Sequence, residues 1–394
     1  MENKKKKEEQ PPKVLLGRPG NTLKMGIVGL PNVGKSSTYN LLSKLQAPAE
    51  NYMFCTIEPN KAKVEVPDLR FDKLVEIYKP KKQAPASLTI LDIAGLVKGA
   101  AQGQGMGNSF LSHVQSVDGI FHVVRAFDDE EVQHYEGEVD PVRDLDIIQS
   151  ELMEKDKATL IKNVEDLEKT IGRTNGKEQK EEKAVLDRVV ELYNENKNVR
   201  DANWNYKEIE VLNKYLFFTA KPVVYLVNIS EQEYIKKKNK WLGKIQAWIN
   251  SHGGGKIIPY SVSFEQKLAA CENEEARKKL MTDLGAESAL GKIITSGYHS
   301  LDLIHYFTSG EDEVKCWTIR KGIKGPGAAG VIHTDFERGF ISADVTKYDD
   351  LVTLGSENKV KNAGLVRTEG KNYEVQDGDI IYFKFNVSDP KKKK

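Results

Sequence analysis

Two textures of apolar and polar residues alternate along the chain, and each predicts a different element. Short, near-continuous apolar runs at Met25–Gly29, Leu88–Leu91, Gly119–Val124 and Val223–Val227 predict strands buried on both faces, because a half-exposed strand would alternate instead. Helical segments separate them, the first at Lys35–Leu45, so a mostly parallel sheet covered on both faces is expected. Between about Pro141 and Tyr215 the period lengthens. Leu145, Ile148 and Leu152, then Leu160, Val164, Leu167 and Ile171, recur at helical spacing in charged sequence, and the polar stretch Gly172–Glu182 with its two glycines predicts a turn between antiparallel helices. Such an arm serves as a rigid spacer or, more in keeping with its charge, as a partner-binding surface.

After Tyr215 the first texture returns, with a helix around Lys240–Asn250, a strand at Lys256–Ser261 and helices to about Leu303. From Ile304 to Val387, short β patterns (Lys315–Ile319, Ile380–Phe385), turn glycines and one short helix read as a small α+β module. The expected order is a flexible lead-in at 1–24, an α/β part at 25–140, a helical insert at 141–215, a second α/β part at 216–303, the small module at 304–387 and a lysine tail at 388–394.

Composition narrows the class. With 394 residues, 39% hydrophobic and 30% charged, the chain can build two or three cores and is no small disulfide-stapled module. No uncharged apolar run approaches the roughly 18 residues that span a bilayer, and Lys4–Lys7 begin no secretion signal, so a cytosolic protein is expected. Cys55, Cys271 and Cys316 are odd in number and far apart, against a disulfide framework or a cysteine zinc site. Net charge is +1, so bulk charge announces no nucleic-acid partner. Lysines at Lys4–Lys7, Lys236–Lys238 and Lys391–Lys394 could meet phosphate or anionic lipid, but solvated runs are the plainer reading, and peripheral membrane binding would need a second anchor.

The chemistry concentrates at Gly29-Leu30-Pro31-Asn32-Val33-Gly34-Lys35-Ser36, a G-x-x-x-x-G-K-[ST] loop between a strand and a helix. The glycines let successive N–H groups face a β-phosphate, Lys35 adds charge toward the β- and γ-phosphates, and Ser36 offers its hydroxyl to Mg²⁺. Asn32, Val33, Gly34, Lys35, Ser36 and Ser37 are therefore the expected phosphate-binding set. Asp92-Ile93-Ala94-Gly95 closes the Leu88–Leu91 strand: Asp92 would hold Mg²⁺ through water and the Gly95 N–H would follow the γ-phosphate. Thr56, between the two motifs, is the candidate switch threonine for the metal shell. Leu96 stands where a water-orienting Gln is placed in Ras-like switches, and leucine cannot position water. The catalytic group would come from Gln102, Gln104, His113, a monovalent cation or a partner, with His113 the first choice; the Asn32 amide could ligate a bridging K⁺. Asn228-Ile229-Ser230-Glu231 occupies the place of the guanine-reading N-K-x-D, with Lys changed to Ile and Asp to Glu, which weakens guanine selection and favours adenine. Ser261-Val262-Ser263 is the companion base loop.

Together these residues resemble the Obg-like ATPase (YchF) family of translation-factor-class P-loop proteins over about Met25 to Val387. The resemblance is carried by GLPNVGKSS, NYMFCTIEPN, DIAGLVKGAAQGQGMGNSFLSHV, VVYLVNISE and the stretch from GEDEVKCWTIRKG to VQDGDIIYFKF. It implies a G domain interrupted by a coiled-coil arm and followed by a TGS domain of β-grasp fold. It further implies hydrolysis of ATP, with GTP used less well or comparably, Mg²⁺ at Ser36 and Thr56, adenine contacted by backbone near Ile229, His113 as catalytic histidine, and K⁺ dependence. Met53, where the family usually has Pro, and Ser37-Thr38-Tyr39, where Thr-Phe-Phe is commoner, depart from the pattern without touching a phosphate or metal ligand.

The expected function is a slow Mg²⁺-dependent triphosphatase that prefers or at least accepts ATP, with GTP as a further substrate, and acts as a nucleotide-dependent switch on the ribosome or ribosomal RNA, monomeric, with an activating protein as a further partner. Two alternatives are a nucleotide-modulated RNA- or protein-binding module with vestigial hydrolysis, and a conventional GTPase.

Overall fold

The computed structural model describes residues 15–46, 60–93, 107–174 and 176–386. The apolar runs become the strands β1 (Lys24–Val28), β4 (Ser87–Asp92), β5 (Gly119–Arg125), β6 (Val223–Asn228) and β7 (Lys256–Tyr260), joined at one edge by β2 (Lys61–Glu65). The order is β2-β4-β1-β5-β6-β7, parallel throughout except that β2 runs antiparallel to β4. Every residue of β5 is buried, which explains why its sequence is mostly apolar and does not alternate. The helices α1 (Lys35–Ser43), α2 (Leu69–Tyr78), α3 (Gly107–Ser116) and the start of α4 (Pro141–Thr174) connect these strands.

The helical unit, 153–221 with Leu15–Pro19, is built from the rest of α4, α5 (Lys177–Asn194) and α6 (Tyr206–Tyr215) around Met153, Leu160, Leu186, Val189 and Leu212. α4 runs on to Thr174 and α5 begins at Lys177, so both helices extend into the expected turn Gly172–Glu182, because the charged residues there are good helix formers and one glycine costs a helix about 1 kcal/mol. Asn213 holds the lead-in by accepting from the Gly17 N–H at 2.7 Å and donating to the Leu15 carbonyl at 3.0 Å.

Beyond β6 follow α7 (Glu231–Ile235), α8 (Leu242–Ser251), α9 (Val262–Ala269), α10 (Glu274–Leu284) and α11 (Leu290–Ser300). Gly297 lets α11 lie against the Phe121 ring, where a Cβ would come within 2.3 Å of it. The C-terminal module is a mixed sheet of β8 (Leu303–Ser309), β9 (Glu313–Arg320), β10 (Phe340–Thr346), β11 (Arg367–Glu369) and β12 (Ile380–Phe385). It carries four short helices instead of the expected one: α12 (Gly325–Ile332), α13 (Thr334–Arg338), α14 (Tyr348–Leu354) and α15 (Glu357–Asn362). Its sixth strand comes from the first half of the chain: β3 (Lys82–Ala84) pairs in parallel with β9.

The same junction is charged. Asp68 caps α2 and accepts from Arg70 at 2.7 Å and from His305 Nε2 at 2.8 Å, while Arg70 also reaches Asp377 at 2.9 Å. Burial would raise the Asp68 carboxyl, but His305 and Arg70 outweigh it and hold it well below the ordinary carboxylate range.

Asp156 in the helical unit shows the opposite balance. It accepts from the N–H groups of Phe218 and Thr219, both at 2.8 Å, and from the Tyr193 hydroxyl at 3.1 Å, yet burial prevails and pushes its carboxyl up to about 6. The folded chain thus holds this proton more tightly than the unfolded one, so the contribution is fully favourable below the unfolded pKa and is lost as pH rises through about 6. The stability advantage of the parent over Asp156→Asn should fall by about 3 kcal/mol from about pH 3 to about pH 8, read from the exchange protection of the Phe218 and Thr219 amides. A difference independent of pH would show a carboxyl that ionises freely.

Candidate nucleotide-binding site

Parallel register brings the ends of four strands together: Ile27 lies beside Asp92, Val28 beside His122, and Arg125 beside Asn228. The crevice at such strand ends is where α/β sheets bind ligands. The loop from Gly29 to Gly34 leaves β1 there and runs into α1, whose first N–H groups have no partner within the helix. Two positions must be glycine. A Cβ on Gly29 would meet the Val123 carbonyl oxygen at 2.5 Å, and Gly34, at φ +100°, would bring one to 2.7 Å from Asn228 Nδ2. Asn32 also lies in the left-handed region, at φ 61°, and donates from Nδ2 to the Gln133 carbonyl at 3.1 Å.

Lys35 is 8% exposed, and its Nζ donates to the Leu30 carbonyl at 2.6 Å across the loop. Burial lowers its pKa to about 8, with Asp92 pulling the other way. Asp92 shares a hydrogen bond with the Ser36 hydroxyl; burial raises its carboxyl, and the Ser36 and Lys35 contacts restrain the rise. The structure therefore brings Lys35, Ser36 and Asp92 together. A hydroxyl and a carboxylate are hard oxygen donors, a set that fits Mg²⁺, which takes one or two such ligands and leaves the rest to phosphate and water. Val33 is buried and Ser37 half-buried on the loop and first turn.

The base side is equally explicit. Asn228 donates from Nδ2 to the Val33 carbonyl at 3.1 Å and accepts on Oδ1 from the Val262 N–H at 3.2 Å, so its side chain braces the loop against the start of α9. The Ile229 N–H is committed to the Tyr260 carbonyl at 2.9 Å. Glu231 is tied to Lys267 at 2.6 Å, and buried Ser261 caps α9 by accepting from the Phe264 N–H.

His113 lies on α3 with an exposed ring that makes no hydrogen bond or ion pair among the described residues. Thr56 and Gly95, with Met53, Leu96, Gln102 and Gln104, lie outside the described residues. Sequence reasoning missed three partners: Lys267 for Glu231, Tyr260, whose hydroxyl meets Thr38 Oγ1 at 2.6 Å, and Arg125. Only Arg125 left a signal, an arginine ending a strand of mostly apolar residues.

Comparison with known proteins agrees with this geometry. Residues 24–163 match a family described as a 50S ribosome-binding GTPase, and residues 303–386 match the YchF GTPase C-terminal family, described as a protein of unknown function. The chain is 55% identical to Obg-like ATPase 1 of Caenorhabditis elegans over 96% of each protein, and 53% identical to Obg-like ATPase 1 of Homo sapiens over 97% of each. The solved YchF GTPase of Schizosaccharomyces pombe shares 49% identity and superposes with a TM-score of 0.87, covering 94% of this chain and 100% of that one. Likeness of this extent, running through both the phosphate-loop part and the C-terminal module, shows that the chain belongs to the Obg-like ATPase (YchF) family of P-loop nucleotide-hydrolysing proteins.

Proposed function

We propose that this protein is a Mg²⁺-dependent ATPase that acts as a nucleotide-dependent switch on the ribosome or ribosomal RNA in the cytosol. The observation that carries the choice of ATP is the state of the base loop. With the Ile229 N–H engaged by Tyr260, backbone recognition there falls to a carbonyl, which pairs with the amino group of adenine and opposes the O6 of guanine. Glu231, paired with Lys267, is withdrawn from the part that the N-K-x-D aspartate plays toward guanine.

The loop amides and Lys35 would stabilise charge that builds on the β-γ bridging oxygen and the transferred phosphoryl group. Ser36 and Asp92 would hold Mg²⁺ with Thr56, and that ion would neutralise phosphate charge. With Nδ2 of Asn32 held by Gln133, the amide oxygen is the atom left to ligate K⁺. Water would be oriented by His113, and its exposed ring in the described geometry favours an arrangement that α3, or an activating partner, completes on the ribosome. The second reading, a binding module with vestigial hydrolysis, draws on the same exposure of His113. A ribosomal partner is supported by the family description matched at 24–163, and no helix among the described residues is long and apolar enough to cross a membrane. The protein is expected to work as a monomer.

Equilibrium binding of non-hydrolysable ATP and GTP analogues with Mg²⁺, in KCl and in NaCl, tests the assignment: ATP should bind more tightly, and equal or GTP-favoured binding would return the protein to the conventional GTPases. Lys35→Ala should abolish tight binding; unchanged affinity would sink the phosphate-loop role. In the parent, affinity should decline as pH rises past about 8, where Lys35 loses its proton. His113→Ala should bind ATP as the parent does and lose about 10²-fold or more in kcat. Retained turnover would remove His113 from the mechanism.

A further inference from the structure

Arg125 ends β5 beside Asn228 and is 1% exposed, the largest fully buried side chain in the described protein. Three carbonyls of the following loop converge on it. Its Nε donates to Phe127 at 3.3 Å, and its Nη2 donates to Asp129 at 3.3 Å and to Val132 at 2.8 Å, with the guanidinium 4.5 Å from the centre of the Phe127 ring. A planar fork spreads these donors over two nitrogens in one rigid plane, a geometry that the single, flexibly held ammonium of lysine does not reproduce. Burying a cation is costly, and here one nitrogen, Nη1, has no hydrogen-bond partner, so an apolar side chain would serve the core better if packing were the sole requirement.

The loop is fixed at both ends. The Ala126 N–H donates to the Asn228 carbonyl at 2.8 Å, and at the far end His134 Nε2 meets Asp144 at 2.9 Å while His134 Nδ1 accepts from the Glu136 N–H at 3.1 Å. Between Val132, held by Arg125, and His134, held by Asp144, lies Gln133, whose carbonyl receives the Asn32 side chain. Asn32 is the phosphate-loop residue in left-handed backbone, a conformation that costs any residue but glycine unless its surroundings enforce it.

We propose that Arg125 is a positioning residue for the nucleotide site: by gathering the 127–132 carbonyls it places the Gln133 carbonyl to clamp Asn32, and so sets the shape of the phosphate loop. This rests on the ATPase reading above.

The test is a pair of substitutions read by equilibrium binding of a non-hydrolysable ATP analogue and by the split between KM and kcat in the full chain. Arg125→Lys should weaken binding about tenfold or more and raise KM with kcat nearly unchanged. Glycine adopts positive φ without the clamp, so in an Asn32→Gly background the same Arg125→Lys change should alter affinity by less than about twofold. Parent-like binding by Arg125→Lys overturns the proposal, and so does an equal loss in the Asn32→Gly background, which would make Arg125 a general support of the fold. If Arg125→Lys does not fold, Asp144→Asn loosens the other end of the loop and should give a smaller loss with the same suppression; a loss that persists with Asn32→Gly overturns the proposal equally. A parent chain that binds no nucleotide overturns the ATPase reading and this inference together, whereas tight parent binding indifferent to Arg125 overturns the inference alone.

Discussion

One amide side chain joins the parts on which the site depends. Asn228 sits at the end of β6 and holds the phosphate-loop carbonyl of Val33 with one atom and the first N–H of α9 with the other. The loop has no regular hydrogen-bond pattern of its own, so a fixed external partner decides its path. That partner is close enough to forbid a side chain at Gly34. The loop glycine and the strand-end asparagine are nearly 200 residues apart in sequence and form a single steric unit. A position that family resemblance marks for base recognition is here first a brace for the phosphate loop.

Charge is used sparingly in the interior, and its sign of effect depends on partners more than on depth. Asp68 meets two cationic or cation-capable groups and stays ionised, fastening α2 to β8. Asp156 meets only neutral donors and is driven toward its protonated form although it accepts more hydrogen bonds from backbone. Arg125 donates to neutral carbonyls; burial works against its charge, Asp129, Asp128 and Asp144 work for it, and a guanidinium keeps its proton more firmly than a lysine would. Each group therefore fixes geometry where a segment lacks periodic structure: a helix start, a chain crossing, a loop.

What could be read from sequence was what local physics encodes. Fully buried parallel strands advertise themselves as apolar runs, and the expected spans fell within a residue or two of β1, β4, β5, β6 and β7. The phosphate loop was legible because its glycines answer a steric demand from nearby backbone. The strand β3 was not: three residues between Pro80 and Pro85 carry no pattern, and only pairing with β9 makes them a strand. The helices of the C-terminal module are too short to establish a period, so three of the four were missed. In the site, the brace by Asn228, the Lys267–Glu231 pair and the Gln133–Asn32 contact all join distant segments, and no window of sequence contains both partners.

The phosphate-binding groups are also already partnered within the protein, which bears on how a triphosphate is taken up. Lys35 donates to the Leu30 carbonyl and Ser36 bonds to Asp92, so binding is an exchange of partners and not the filling of unsatisfied groups. The two exchanges differ in difficulty. A phosphate displaces the Leu30 carbonyl from Lys35 readily, since an anionic acceptor adds the attraction of opposite charges that a neutral carbonyl lacks. Freeing Ser36 separates it from a half-buried carboxylate whose pKa burial has raised, and an anionic phosphate arriving beside Asp92 adds like-charge repulsion unless a divalent cation arrives with it. On the proposed reading nucleotide and Mg²⁺ would therefore bind as a joint ligand, each removing the obstacle that the other would face alone.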